Sequence, residues 1–285
     1  MWWKTGIGIL ASFGLLFAAA ATYGMHRWQQ GTRDMRATLE AHRNTPSVPS
    51  YDPAELASVP EPVRRYFETA LTPGQAIITA ADIEHEGTFD MGEETKRWRP
   101  FTSTQRVITT RPGFNWDGRI SMAPGLRAHV HDAYIAGEGI LHASLLGLVT
   151  VADMRDTPEM ARGEFMRFFA ESAWYPTALL PSQGVEWQAV DDRSAQATMR
   201  DGELAVTLLF RFREDGLIDT VYADSRERVA GETTELRPWE GRFFDYQEFD
   251  GMMIPMQGEV SWIFEDGHRP YWRGTTTHIR YRTAR

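Results

Sequence analysis

The sequence predicts a mainly β (α+β) fold: a curved antiparallel sheet or open β-barrel with helices over its concave face, preceded by one N-terminal transmembrane helix. Three observations carry this expectation. Beyond Thr72 the residues alternate with a period of two, and from Val185 the strand pattern is nearly unbroken through VEWQAV, LAVTLLFRF, LIDTVYAD, RFFDYQEF, EVSWIF and THIRYR. Asp-Gly pairs punctuate these runs at Asp201-Gly202, Asp215-Gly216, Asp250-Gly251 and Asp266-Gly267. They suit type I′ hairpin turns, whose two central residues both need positive φ. One apolar helix near residues 158–173 interrupts the strands, and a helix so placed packs across the sheet's concave face, which cannot be left wet.

The chain opens on an uncharged stretch from Gly6 to Tyr23, bracketed by Trp2, Trp3, Tyr23 and Trp28. About 18 uncharged residues just span a hydrocarbon core, and flanking aromatics suit the membrane interfaces. The expected division is a signal-anchor helix at 1–28, a stalk with a Pro/Ser linker at 29–55, and one β-rich domain at 56–285. A cleaved signal peptide, with Lys4 before the apolar run and small residues at Ala18–Ala21, is the alternative; a buried soluble helix is a third. Arg27, Arg33, Arg36 and Arg43 follow the segment and by the positive-inside rule would hold the domain in the cytoplasm. Asp34 and Glu40 accompany them, and the export-signal pattern favours the extracytoplasmic side of a bacterial cytoplasmic membrane.

After the polar, helix-compatible stretch His26–Arg43, the segment TPSVPSYDP reads as an extended linker. Asp52 then caps a short turn begun by Pro53. In PEPVRRYFETAL, residues Val63, Tyr66, Phe67, Ala70 and Leu71 share one helical stripe. Along RAHVHDAY, Leu126, Ala128, Val130 and Tyr134 alternate as a core face. Thr157 and Pro158 supply an N-cap and first helical position for the inserted helix. There Phe165, Phe168, Phe169 and Ser172 share a stripe, and TALLP adds a short turn.

The net charge of −9 excludes a nucleic-acid partner, because phosphate neutralisation needs a basic face. The absence of cysteine removes disulfides, thiol chemistry and Cys-ligated zinc together. His129 and His131 point to the same side of a strand, a spacing that can supply two imidazoles to one ion, but no further ligand accompanies them. They read as two surface histidines, and no metal or other cofactor is expected. No serine stands in a nucleophile elbow, and no glycine spacing forms a phosphate loop. Glu171, in the last turn of the inserted helix, is the one weak catalytic candidate: a carboxylate there meets the negative end of the helix dipole. It needs an arginine partner or a functional reason.

The aromatic supply is generous, with ten tryptophans and fifteen phenylalanines. Phe165, Phe168, Phe169 and Trp174 on the helix, with Trp116, Tyr134, Trp187 and Trp262 on strands, either fill a core or enclose an apolar cavity. Several phrases are together distinctive: WRPFTSTQ, RPGFNWDGRI, HDAYIAGEG, AESAWYPTALLP, VEWQAVDDRSAQATM and PWEGRFFDY followed by GMMIPMQGEVSW. With them the chain beyond about residue 55 resembles an uncharacterised bacterial family of membrane-anchored proteins, a domain of unknown function. At fold level it is also similar to periplasmic lipoprotein carriers such as the lipoprotein-localisation carrier. The resulting expectation is a non-enzymatic envelope protein that binds a lipid or other apolar ligand in the sheet's hollow. A scaffold that docks another envelope protein, and an envelope hydrolase using Glu171, are the alternatives.

Overall fold

The structure, a computed structural model, describes residues 2–92, 95–230 and 233–284, without the side chains of 2–11, 13, 229, 230 and 233. Three helices are α1 (Trp2–Ala41), α2 (Glu61–Ala70) and α3 (Pro158–Ala170). The first six strands are β1 (Ile78–Asp90), β2 (Trp98–Ile108), β3 (Gly113–Ala123), β4 (Leu126–Ile135), β5 (Glu138–Leu145) and β6 (Val149–Arg155). After α3 come β7 (Glu186–Asp191), β8 (Ser194–Asp201), β9 (Leu204–Phe212), β10 (Ile218–Ala230), β11 (Thr233–Phe249), β12 (Met252–Phe264) and β13 (Gly267–Thr283).

All described strands form one antiparallel sheet in the order β6-β5-β4-β3-β2-β1-β13-β12-β11-β10-β9-β8-β7. The first meander walks outward from β1 to the edge strand β6. The chain then crosses the hollow through α3 to the opposite edge, β7, and a second meander walks back until β13 pairs with β1. The sheet is curved and unclosed, so α3 is the covering that its concave face requires. Phe165, Phe168 and Phe169 are completely buried there, and Thr157 caps the helix by accepting from the Met160 amide at 3.1 Å.

Some of the remaining local signals are met and others are not. Asp52 caps the turn at Pro53–Ser58, and the α2 stripe Val63, Tyr66, Phe67, Ala70 is buried throughout. Asp250 and Gly251 have φ of 51° and 76° and close the β11–β12 hairpin as a two-residue loop between Phe249 and Met252. The other three Asp-Gly pairs differ from expectation. At each of them only the glycine takes positive φ, because Asp201 is still paired with Leu204, Asp266 is the second residue of its two-residue loop, and Asp215 lies in a longer loop between Phe212 and Ile218.

The N-terminal region departs most from the sequence reading. Helix α1 is continuous from Trp2 to Ala41, and its second half does not stand free as a stalk. It lies on the convex face of β2–β4, with Trp28 and Leu39 buried. The Trp28 indole stacks on His131 with ring centroids 3.9 Å apart and donates to Asp117 at 2.9 Å. Arg36 donates to Asn115 and Thr104, and Glu40 forms an ion pair with Arg106, itself 4% exposed. His129 and His131, expected at the surface, are therefore each only 4% exposed. The segment looked like a stalk because much of the sheet face beneath it is polar and met by hydrogen-bonding groups; only Met35 and Leu39, toward its end, pack on an apolar cluster of Ala80, Ile108, Ala133 and Ile135. The Pro/Ser linker is also held down: Tyr51 is buried and the Ile77 amide donates to the Pro49 carbonyl at 2.9 Å.

The expected membrane anchor falls partly outside the described residues, at Met1 and the side chains of 2–11 and 13. Among the described residues no helix is long and apolar enough to cross a membrane. The described part of the run is nonetheless exposed and apolar, with Leu15, Leu16 and Phe17 all more than half exposed.

Candidate functional site

Along β4, Ala128, Val130, Asp132 and Tyr134 face the hollow, as alternation predicts. In the same row Asp132 pairs across the strands with Trp116 on β3. Trp116 begins the first of three W-x-G triplets, Trp116-Asp117-Gly118, Trp239-Glu240-Gly241 and Trp272-Arg273-Gly274. Residues i and i+2 of a strand share a face, and in each triplet the indole lies over the glycine two positions on. A side chain at Gly118 or Gly274 would collide with that ring. The glycines thus let three indoles lie along the sheet, a signal legible in the sequence that the aromatic inventory alone does not expose.

These indoles enclose a small inner pocket of about 90 Å³ together with Trp174, Phe89, Phe243, Tyr271 and Gly258. Trp174 is fixed by donating to the Pro255 carbonyl at 2.8 Å, and Trp239 by donating to the Tyr271 hydroxyl at 3.0 Å. The Trp116 Nε1 is buried without a partner.

Helix α3 adds a charged stripe beside its phenylalanine stripe: Glu164, Arg167 and Glu171 at helical spacing. Arg167 donates to Asp132 and Glu171, each at 2.7 Å, and its guanidinium lies 5.0 Å and 5.2 Å from the Phe114 and Trp116 ring centroids. Arg226 from β10 lies over Trp239 at 4.9 Å and approaches Glu164 at 3.7 Å. Three carboxylates therefore face two guanidinium groups. Burial, reinforced by Asp132, pushes the Glu164 carboxyl up to about 8, so it keeps its proton at neutral pH and the remaining charges balance. Burial also raises Asp132, against the pull of Arg167 and Arg226. For Arg167, burial works against the charge, but the carboxylates of Glu171 and Asp132 outweigh it and hold the guanidinium protonated.

Glu171 accepts from Arg167 with one oxygen and from Gln105 at 2.6 Å with the other. Both oxygens are engaged, which is the geometry of a structural ion pair. Free acceptors lie elsewhere in the cluster, at Asp132 Oδ1 and Glu164 Oε2. Against Trp174 and Trp272, His85 is 3% exposed, with neither ring nitrogen partnered, and burial lowers its pKa to about 4. Among the described residues no group of three or more His, Asp or Glu could hold a metal ion.

Phe89, Asp132, Arg226 and Tyr271 line both the inner pocket and a second, open groove of about 1340 Å³. The groove runs between the first turns of α3 and the ends of β1, β10, β12 and β13, along Leu141, Met154, Met160, Trp262 and Phe264. Of the eight aromatics singled out in the sequence, Trp116 and Trp174 line the inner pocket and Trp262 lines the groove. Phe165, Phe168, Phe169, Tyr134 and Trp187 line neither space. Tyr134 stacks on Phe165 at 5.1 Å, and Phe169 and Trp187 both meet Phe210. Helix α3 therefore fills one part of the hollow and leaves another open.

Residues 57–281 match DUF6920, a family of unknown function. Among solved structures, the chain is similar to a LolA superfamily protein from Nitrosomonas europaea, at 7% identity and a TM-score of 0.41, over 78% of this chain and 92% of that one. It is also similar to a β-barrel-like DUF1849 protein from Brucella abortus, at 10% identity and a TM-score of 0.22, over 72% and 99% of the two chains. No curated protein matches. The chain belongs to the DUF6920 family.

Proposed function

We propose that this DUF6920 member is a membrane-tethered envelope protein that binds an apolar or amphipathic ligand, an acyl chain above all, in the part of the hollow that α3 leaves open. The observation that carries the reading is the groove itself. Its volume of about 1340 Å³ exceeds the roughly 300–1,000 Å³ of ordinary small-molecule sites. Among the described residues, its walls combine apolar side chains from α3, β5, β6 and β12 with four arginines, Lys96 and six carboxylates, so an apolar body would lie along the first set and its polar end among the second. Each buried methylene contributes about 0.8 kcal/mol, so about ten of them give roughly 8 kcal/mol gross, from which the ordering costs of association are subtracted.

The tether in this reading is the uncharged N-terminal run, inserted in a bacterial cytoplasmic membrane with the domain on the extracytoplasmic side. Binding is favoured over catalysis because Glu171, the acid–base candidate, has both oxygens committed to Arg167 and Gln105. A diazirine-bearing fatty acid added to the full chain tests the reading. Crosslinks are expected on the peptides carrying Met160, Trp262 and Phe264, and Gly163→Trp should abolish them. A Cβ at Gly163 has only Arg226 Nε near it, at 4.0 Å, so the indole enters the groove without disturbing the core. Crosslinks confined to α1, or unchanged by the substitution, would refute it.

A further inference from the structure

The pairing registers put the β1–β2, β3–β4, β5–β6 and β12–β13 turns on one rim of the sheet, and the β2–β3 and β9–β10 turns on the opposite rim. Helix α1 runs between the two along the convex face. Leu39 lies against Gly113 at the opposite rim, and the Gly24 backbone meets the β5–β6 turn at Leu146 and Leu148. The contact is so close that neither Gly24 nor Gly147, at φ 68°, has room for a Cβ. The N-terminal half of α1 therefore leaves the domain at the first rim.

Two turns flank that exit, and both are apolar. The β3–β4 turn reads Met122-Ala123-Pro124-Gly125-Leu126, and the β5–β6 turn reads Leu145-Leu146-Gly147-Leu148-Val149. Hairpin tips in water favour Gly, Pro, Asn, Asp and Ser, so Pro124-Gly125 is an ordinary tip flanked by apolar residues, and the Leu146–Val149 tip is the departure. Here Val149 is 61% exposed and Val151, next on the same edge strand, 55%. Exposed apolar surface gathered in one place marks a contact site, and what continues from this place is the exposed apolar run of α1. The helix from Trp2 to Tyr23 is about 33 Å long at 1.5 Å per residue, close to the roughly 30 Å of a hydrocarbon core. The groove reaches the same rim through Met91 and Phe264.

We infer that this rim rests on the bilayer into which α1 inserts, with the β3–β4 and β5–β6 turns in the interface, so that the groove exchanges its ligand with that bilayer directly. The ligand is then a lipid of the host membrane. The inference rests on the tether proposed above, and the experiment separates the two. The chain has no cysteine, so single cysteines carry an environment-sensitive fluorophore cleanly. Full-length chains labelled at Phe17→Cys, Pro124→Cys, Val149→Cys and, on the opposite rim, Glu214→Cys are reconstituted in vesicles containing nitroxide lipids. Quenching several-fold stronger at positions 17, 124 and 149 than at 214 is the expected result. Strong quenching at 17 with positions 124 and 149 no different from 214 would overturn the inference and leave the tether standing. No quenching at 17 would overturn both.

Discussion

Replacing Arg167 by Met removes the one cation that two buried carboxylates share. Asp132 and Glu171 would each lose a 2.7 Å charge-assisted hydrogen bond, with side chains only 18% and 16% exposed. Breaking a buried ion pair from one side costs about 3–5 kcal/mol, because the partner charge stays behind uncompensated. Unfolding entropy of about 2.1 cal/mol/K per residue over 285 residues gives roughly 0.6 kcal/mol/K, so Tm should fall by about 5–8 °C at pH 7. The loss should shrink as pH falls toward 5, because Asp132, already raised by burial, binds a proton more readily once Arg167 is gone, which relieves the excess charge. Urea unfolding of parent and variant at the two pH values measures both numbers. A loss under about 1 kcal/mol at pH 7, or one equally large at pH 5, would refute the charge-balance account of the cluster.

Glu164 has its folded pKa raised to about 8, above the ordinary 4.5, so its contribution to stability is full at low pH and is lost as pH rises through 8. Glu164→Gln should therefore be more stable than the parent at pH 9, with the gap closing below pH 5 in a thermal-melt series. His131, pushed down to about 4 by burial beneath Trp28, has the opposite dependence. Docking of α1 should be complete above pH 6.5 and weaken as pH falls toward 4, read as faster amide exchange over residues 24–41 while β7–β9 stay protected. Phe168→Ala truncates a ring that is fully buried and lines neither the pocket nor the groove. It should cost about 3–5 kcal/mol as in a filled core while leaving fatty-acid crosslinking to the groove intact; a small loss accompanied by loss of crosslinking would instead make the stripe part of the ligand site.

The β architecture was legible because both of its signals are local. Alternation along each strand and turn residues at each joint mark the second meander from Val185 onward, and a proline-initiated helix marks the crossover. Three features lay beyond a reading of local pattern. The docking of α1 depends on polar groups that match only in three dimensions, Trp28 with Asp117 and Arg36 with Asn115, so the segment looked like a solvated stalk. The cluster at Asp132, Glu164, Arg167 and Arg226 draws on α3, β4 and β10, which are far apart in sequence; only Glu171 drew notice there, through its place at the helix end. The division of the hollow into a filled and an open part depends on where α3 comes to rest. A list of aromatics cannot tell Phe168, in the core, from Trp262, on the groove wall. The W-x-G repetition could have been read in advance, since a bulky ring two residues before a glycine on a strand has an empty site to lie over.

Native mass spectrometry of the full-length protein, released from detergent micelles, tests the central claim most directly. The parent should retain one noncovalent adduct of lipid mass through collisional removal of the micelle, and Gly163→Trp, with an indole in the groove, should emerge without it. A parent that sheds every lipid under conditions that preserve its fold, or a Gly163→Trp chain that keeps the same adduct, would contradict a ligand site in the open half of the hollow.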